Sequence, residues 1–191
     1  VDEELAARLK AFTEKGGTVI FSFRAGMKNK DNNIPFGDKS PYQLKELLGI
    51  EIDEAESLHA GQHVSILSKD GKKEAQGQVW RDLIRTTTAD ALYSYSDRFY
   101  KNYAALTVNE YGNGKAYYVG TGAEAGVLSD LAFTVLNETG ISFIKSEPGV
   151  EVVERAGHVI VMNHNHEEAA FEGEVLQPFE TKIMERGGHS S

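Results

Sequence analysis

The chain has 191 residues, a net charge of -9, 40% hydrophobic and 26% charged residues, and no cysteine. That length suits one ordinary domain, or one domain with a small appendage, and a core that needs no staples. The acidic balance leaves no basic stripe for phosphates and argues against nucleic acid as a partner, and the missing cysteines exclude disulfides, thiolate metal sites and cysteine nucleophiles.

No window approaches the roughly 20 apolar residues of a membrane-spanning helix, nothing resembles a signal peptide, and no membrane partner is expected. The chain opens on a helix. Asp2 is its expected N-cap, with Glu3 and Glu4 in the first turn where the helix dipole favours negative charge. Leu5, Leu9 and Phe12 recur at helical spacing and predict the face laid on a sheet, and Gly16-Gly17 stops the helix. Thr18 to Phe23 is an apolar, β-branched and aromatic run, which predicts a parallel strand covered on both faces. A helix feeding such a strand is half of a βαβ unit, so a preceding parallel strand is expected that the sequence does not contain; on this reading the sheet is truncated at its N-terminus. Open α/β sheets place ligands and chemistry at the carboxyl ends of their strands. Here that position holds Arg24, whose guanidinium serves as neither nucleophile nor base near neutral pH. The residues therefore point toward assembly rather than catalysis.

Arg24 to Lys39 is polar and turn-rich, the composition of a long loop that is either a solvated excursion or a contact surface. Ser40-Pro41 reads as an N-cap and first helical residue, with Leu44, Leu47 and Leu48 as a short apolar face ended by Gly49. Ile50 to Leu58 predicts a strand. His63 to Leu67 and Glu74 to Trp80 form a hairpin around Asp70-Gly71. Further strands are expected over Ala91 to Tyr95 and Ala104 to Tyr111, separated by the aromatic, charged turn Asp97 to Tyr103. Gly112 to Lys115 then turns the chain into Ala116 to Thr121. Glu124 to Glu138 predicts a closing helix with Val127, Leu128, Leu131, Ala132, Val135 and Leu136 on one face and Gly140 as its stop. After the linker Lys145 to Gly149 come only short alternating segments, the pattern of a small antiparallel β module, with Gly187 to Ser191 as a frayed tail.

Motifs with chemical potential are few. Gly120-Thr121-Gly122-Ala123-Glu124-Ala125 matches a dinucleotide fingerprint in spacing, but Glu124 would face the pyrophosphate and no strand-end acid follows, so a tight strand-to-helix turn is the expectation. Gly112-Asn113-Gly114-Lys115 lacks phosphate-loop spacing and reads as a hairpin. His164 and His166 share a strand face, and with His158, Glu167 and Glu168 they raise a metal site, yet no spacing fixes a third ligand and a polar turn is expected. No acid pair stands out for hydrolysis and no G-x-S-x-G elbow is present. No catalytic residue, metal or cofactor is expected.

The stretches ELAARLKAFTEKGGTVIFSFRAGMKNKDN, PYQLKELLGIEIDEAESL, DALYSYSDRFYKNYAALTVNEYGNGKAYYVGT and GVEVVER with VIVMNH, in that order, resemble the C-terminal part of bacterial β-galactosidases of glycoside hydrolase family 42. In that family a catalytic (β/α)8 barrel comes first, then a trimerisation domain shaped like a class I glutamine amidotransferase, then a small β domain. The resemblance implies an α/β fold, a truncated flavodoxin-like or amidotransferase-like sheet with antiparallel insertions over residues 1–146, followed by a small all-β module over 147–191. It implies a non-catalytic region that associates into a homotrimer in a cytoplasmic enzyme cleaving terminal β-D-galactosides, with the substrate met only through a barrel outside this sequence. The likeness to amidotransferases is of fold alone, since the nucleophilic cysteine is lacking. Arg24, Lys28, Arg98, Phe99, Tyr100 and Tyr103 are the expected interface residues, being of types common at interface hot spots or set in the two exposed segments. The rival readings are an amidotransferase-like enzyme with an unusual nucleophile and a carbohydrate-binding module using the tyrosines and Trp80.

Overall fold

The structure, a computed structural model, describes residues 1–185, so the tail expected at Gly187 to Ser191 lies outside the described residues. The chain divides into two compact units, Val1–Thr139 and Gly140–Ser191.

The first unit is built on one eight-stranded sheet. Helix α1 (Glu3–Glu14) begins at Asp2, whose carboxylate accepts the Leu5 amide at 2.8 Å, and Gly16, at φ +106°, turns the chain into β1 (Thr18–Ser22). After the long loop, a 3₁₀ turn (Tyr42–Leu44) and helix α2 (Lys45–Leu48) lead into β2 (Ile50–Ser57). Then follow β3 (His63–Ser68), β4 (Glu74–Thr86), β5 (Asp90–Tyr95), β6 (Ala104–Tyr111), β7 (Gly114–Val119), the short β8 (Thr121–Ala123) and helix α3 (Ala125–Glu138). The strand order is β1-β7-β6-β5-β3-β4-β2, with β8 beside β4. β1 runs parallel to β7 with Thr18 opposite Lys115, and the other pairings among the described residues are antiparallel.

Alternation along the strands sorts the core into two faces. Ala116 and Tyr118 of β7 join Ala6, Leu44, Leu47, Leu48, Ile50 and Ile84 on the side of α1 and α2. Tyr117 and Val119 join Ile66, Tyr95, Leu106, Val127 and Leu131 on the side of α3.

Several expectations need correction. β1 is not covered on both faces: it lies at the end of the sheet and Ile20 is 49% exposed. The core side of α1 is Ala6, Leu9 and Thr13 rather than Leu5, Leu9 and Phe12. Phe12 is 54% exposed, because the helix approaches the sheet through the small Ala6. On α3 only Val127 and Leu131 are buried, and Leu128 is exposed. Pro41 precedes the helical turn, and Ser40 instead bridges to Ile52. β4 runs six residues past Trp80, a continuation hidden in the sequence by the charges of Arg81 and Asp82.

The second unit contains β9 (Val150–Arg155), β10 (His158–Asn163) and β13 (Thr181–Glu185) in a three-stranded antiparallel sheet. A two-stranded ribbon pairs β11 (Ala169–Phe171) with β12 (Glu174–Leu176). Val150, Val159, Val161, Ala169, Phe171 and Leu176 form its core. No helix among the described residues is long and apolar enough to cross a membrane.

Candidate functional site

Two side-chain assemblies meet on β4, on opposite faces of the strand. The first closes the carboxyl end of β1. Arg24 sits there in the left-handed region at φ +69°, an uncommon conformation for a residue with a side chain. Its guanidinium lies 4.9 Å from the Trp80 ring centroid, and Phe23 stacks on the same indole at 6.3 Å. Under this cap Asp82 is fully buried. Its carboxylate accepts from the Trp80 indole N–H at 2.7 Å, from the Tyr118 hydroxyl at 2.7 Å and from the Arg24 backbone N–H, while the Tyr95 hydroxyl donates to the Asp82 carbonyl at 3.1 Å. Burial pushes the Asp82 carboxyl above the usual carboxylate range, and the three donors oppose that rise. Burial likewise drives the Tyr95 and Tyr118 phenols well upward, with the Asp82 charge adding to it. Here every group is tied to another: the site holds a turn in place and offers no nucleophile. Trp80 is correspondingly no free platform for a sugar ring, its indole N–H being spent on Asp82 and its face lying toward Phe23 and Arg24.

The second assembly fixes the turn between β5 and β6. Arg81 projects to the other face of β4, its side chain only 6% exposed, and pairs with Glu56 of β2. Its guanidinium carbon lies 3.8 Å from the Tyr100 ring centroid. Tyr100 and Tyr103 are half-buried against the core on the α3 side. Arg98 is exposed, and Phe99 is 83% exposed.

The six residues singled out in the sequence thus fall in two places. Arg24 and Lys28 lie at the start of the loop after β1, both exposed, and the same loop carries Ile34 at 65% exposure and Phe36 with no burial. Arg98, Phe99, Tyr100 and Tyr103 lie in the turn braced by Arg81. Sequence reasoning passed over Arg81 and Asp82, although two charged residues directly before Leu83-Ile84 in a strand were the available signal.

The other motifs resolve locally. Gly122 packs so close to β4 that a Cβ there would meet the Gln78 carbonyl, and the Glu124 carboxylate accepts the Gln76 amide at 3.2 Å, so the glycine-rich turn serves strand packing. The histidines are not brought together. His164 contacts Glu151 at 3.0 Å, the His158 ring nitrogen contacts the Ala156 carbonyl at 3.2 Å, and His166 meets Phe179 edge-on at 4.8 Å. Among the described residues no three metal-ligating side chains cluster.

Residues 1–142 match the family described as the beta-galactosidase trimerisation domain. Among curated relatives, Beta-galactosidase BgaA of Planococcus sp. (strain 'SOS Orange') is 35% identical over 90% of this chain and 27% of its own length. Beta-galactosidase BgaA of Clostridium cellulovorans is 32% identical over 90% of this chain and 26% of its own. The chain thus spans about a quarter of the length of these relatives. The crystal structure of the cold-adapted beta-galactosidase from Rahnella sp. R3 superposes with a TM-score of 0.86 at 26% identity, over 97% of this chain and 31% of that one. That of the Bacillus circulans sp. alkalophilus beta-galactosidase gives 0.80 at 27% identity, over 96% and 31%. With a family match that runs through the whole eight-stranded sheet and its helices, the chain belongs to the trimerisation-domain family of the glycoside hydrolase family 42 beta-galactosidases.

Proposed function

We propose that this region acts by assembly: residues 1–146 form a domain that joins three copies of a longer beta-galactosidase, and residues 147–191 form a small all-β domain beside it in the sequence. The observation that carries the reading is the match of residues 1–142 to a trimerisation domain. In the same reading the sheet is a derivative of the flavodoxin-like, amidotransferase-like architecture, whose catalytic position after β1 has been given to Arg24. The parent enzyme hydrolyses terminal β-D-galactosides in the cytoplasm, with its chemistry outside these residues.

A threefold ring needs a heterologous contact, in which one patch of each copy meets a different patch of the next. Two segments are each a candidate for one side of such a contact, the patch that either meets lying elsewhere on the next copy. The loop after β1, with Arg24, Lys28, Ile34 and Phe36, adjoins the face of the sheet covered by α1, because Ala25 packs into that core. The turn with Arg98 and Phe99 adjoins the opposite face, where Tyr100 and Tyr103 are seated. Exposed apolar side chains on both are the anchors that an interface buries.

Light scattering of the 191-residue chain over a concentration series tests the reading. A mass approaching three chains of 21.0 kDa is expected, and Phe36→Ser should lower it. A chain that stays monomeric at every concentration overturns self-association by these residues.

A further inference from the structure

We infer that the Arg81–Glu56 pair is a clamp that presets the turn Asp97 to Tyr103 for contact with a second copy of this chain, so that Arg81 and Glu56 are positioning residues for self-association. The inference rests on the assembly reading above and names the device that serves its contact surface.

A buried guanidinium in a sheet is a poor stabiliser, since hydrophobic side chains of similar volume do as well or better in such places. Arg81 is nevertheless 95% buried. Its Nε donates to Glu56 Oε2 at 3.1 Å, and Nη2 donates to the same oxygen. The planar group held in that fork lies 3.8 Å from the Tyr100 ring centroid and 6.0 Å from that of Tyr95. Stacking fixes the face of Tyr100, as a lysine at this place would not.

The turn is also closed on itself. The Phe99 amide donates to the Asp97 carboxylate at 3.0 Å, the Tyr100 amide to the Asp97 carbonyl at 3.0 Å and the Tyr103 amide to the Tyr100 carbonyl at 2.9 Å. The Tyr95 amide then donates to the Tyr103 carbonyl at 3.1 Å and ties the turn to β5. Underneath, Tyr100 is pinned by Arg81; outside stands Phe99, 83% exposed. A rigid turn that displays a bare phenyl ring between Arg98 and Lys101 has had its ordering cost met before association.

The charge on this turn says what it meets. Arg98 and Lys101 form no ion pair among the described residues, while the chain as a whole carries a net charge of -9. A second copy therefore presents the acidic surface that these two cations lack at home. Its trimerisation-domain match makes that copy the fitting occupant.

The test compares the full chain with Phe99→Ala and Glu56→Gln by light scattering, with hydrogen exchange read on the same samples. Glu56 is half-exposed, so its replacement by glutamine leaves the fold intact while weakening the fork. Phe99→Ala should weaken association at least about tenfold, within the range of a hot-spot truncation. Glu56→Gln should weaken it about three- to tenfold and speed exchange at residues 98–103, with β5 and β6 unchanged. A purely structural role for the pair would instead speed exchange across β4 and β5 and leave association of the folded chain as it was. A trimeric wild type whose Glu56→Gln variant gives the same mass curve refutes the clamp and leaves self-association standing. An unaltered Phe99→Ala refutes the turn as the contact, and a wild type that is monomeric throughout refutes the assembly reading and the clamp together.

Discussion

Replacing Tyr118 with phenylalanine isolates the buried centre of the sheet. The Tyr118 hydroxyl is fully buried and donates to Asp82 Oδ2 at 2.7 Å, so the change deletes one of three donors to a carboxylate that water does not reach. A hydrogen bond to a charged group contributes about 1.5–3 kcal/mol and a neutral one about 0.5–1.5 kcal/mol. For a chain of this length that corresponds to a melting midpoint lowered by about 3–12 °C when Asp82 is ionised. The dependence on pH carries the sharper test. Burial raises the Asp82 pKa in the folded state, so the folded protein holds this proton more tightly than the unfolded one. Its contribution to stability is therefore greatest below the unfolded value near 3.8 and is lost as pH rises through the folded value. Tyr118 is one of the groups that lower the folded value, so its loss raises that value further and steepens the fall. Urea denaturation of both proteins between pH 4 and 8 should show a stability gap that widens with pH. A gap of constant size would refute the ionised Asp82 as the acceptor.

Gly49 closes α2 at φ +62°, and a Cβ there would meet the Asn109 side-chain oxygen and the Thr88 hydroxyl, so Gly49→Ala should cost more than about 1 kcal/mol in urea denaturation. A neutral effect would mean that the Thr88–Asn109 pair is free to shift. Arg24→Ala removes the guanidinium from the face of the chain's single tryptophan, and its emission should move to longer wavelength with a loss of about 0.5–1 kcal/mol. Galactose added to the unaltered chain should leave that emission where it is, because Trp80 is engaged by Phe23, Arg24 and Asp82; a saturable shift would restore the carbohydrate-binding reading.

Much of the short-range chemistry was legible in the sequence, the Ser40-Pro41 cap excepted. The Asp2 cap, the Gly49 and Gly140 stops and the hairpins at Asp70-Gly71 and Gly112-Asn113 follow from signals within a few residues of themselves. Turn and cap geometry depends on the backbone freedom and side-chain reach of neighbours in sequence, and these are written locally. The family resemblance was legible for another reason: runs such as GGTVIFSFRAG are read as strings of residues, which requires no knowledge of what they pack against.

What the tertiary structure decided was partnership. An apolar strand reads the same whether a neighbour flanks it on both sides or on one, so β1 was expected to be buried although it lies at the end of the sheet with Ile20 half-exposed. Arg81 and Asp82 read as breaks in a strand because charge usually marks solvent. They are buried because their partners come from 25 and 36 residues away, Glu56 for one and Tyr118 for the other. The aromatic turn showed the same division. Phe99, Tyr100 and Tyr103 are equivalent in composition, and only the placement of Arg81 beneath Tyr100 makes Tyr100 a foot of the turn and leaves Phe99 as its tip. Residue type sets what each side chain is able to bind, and the long-range pairing of strands sets which of them finds its partner inside the fold.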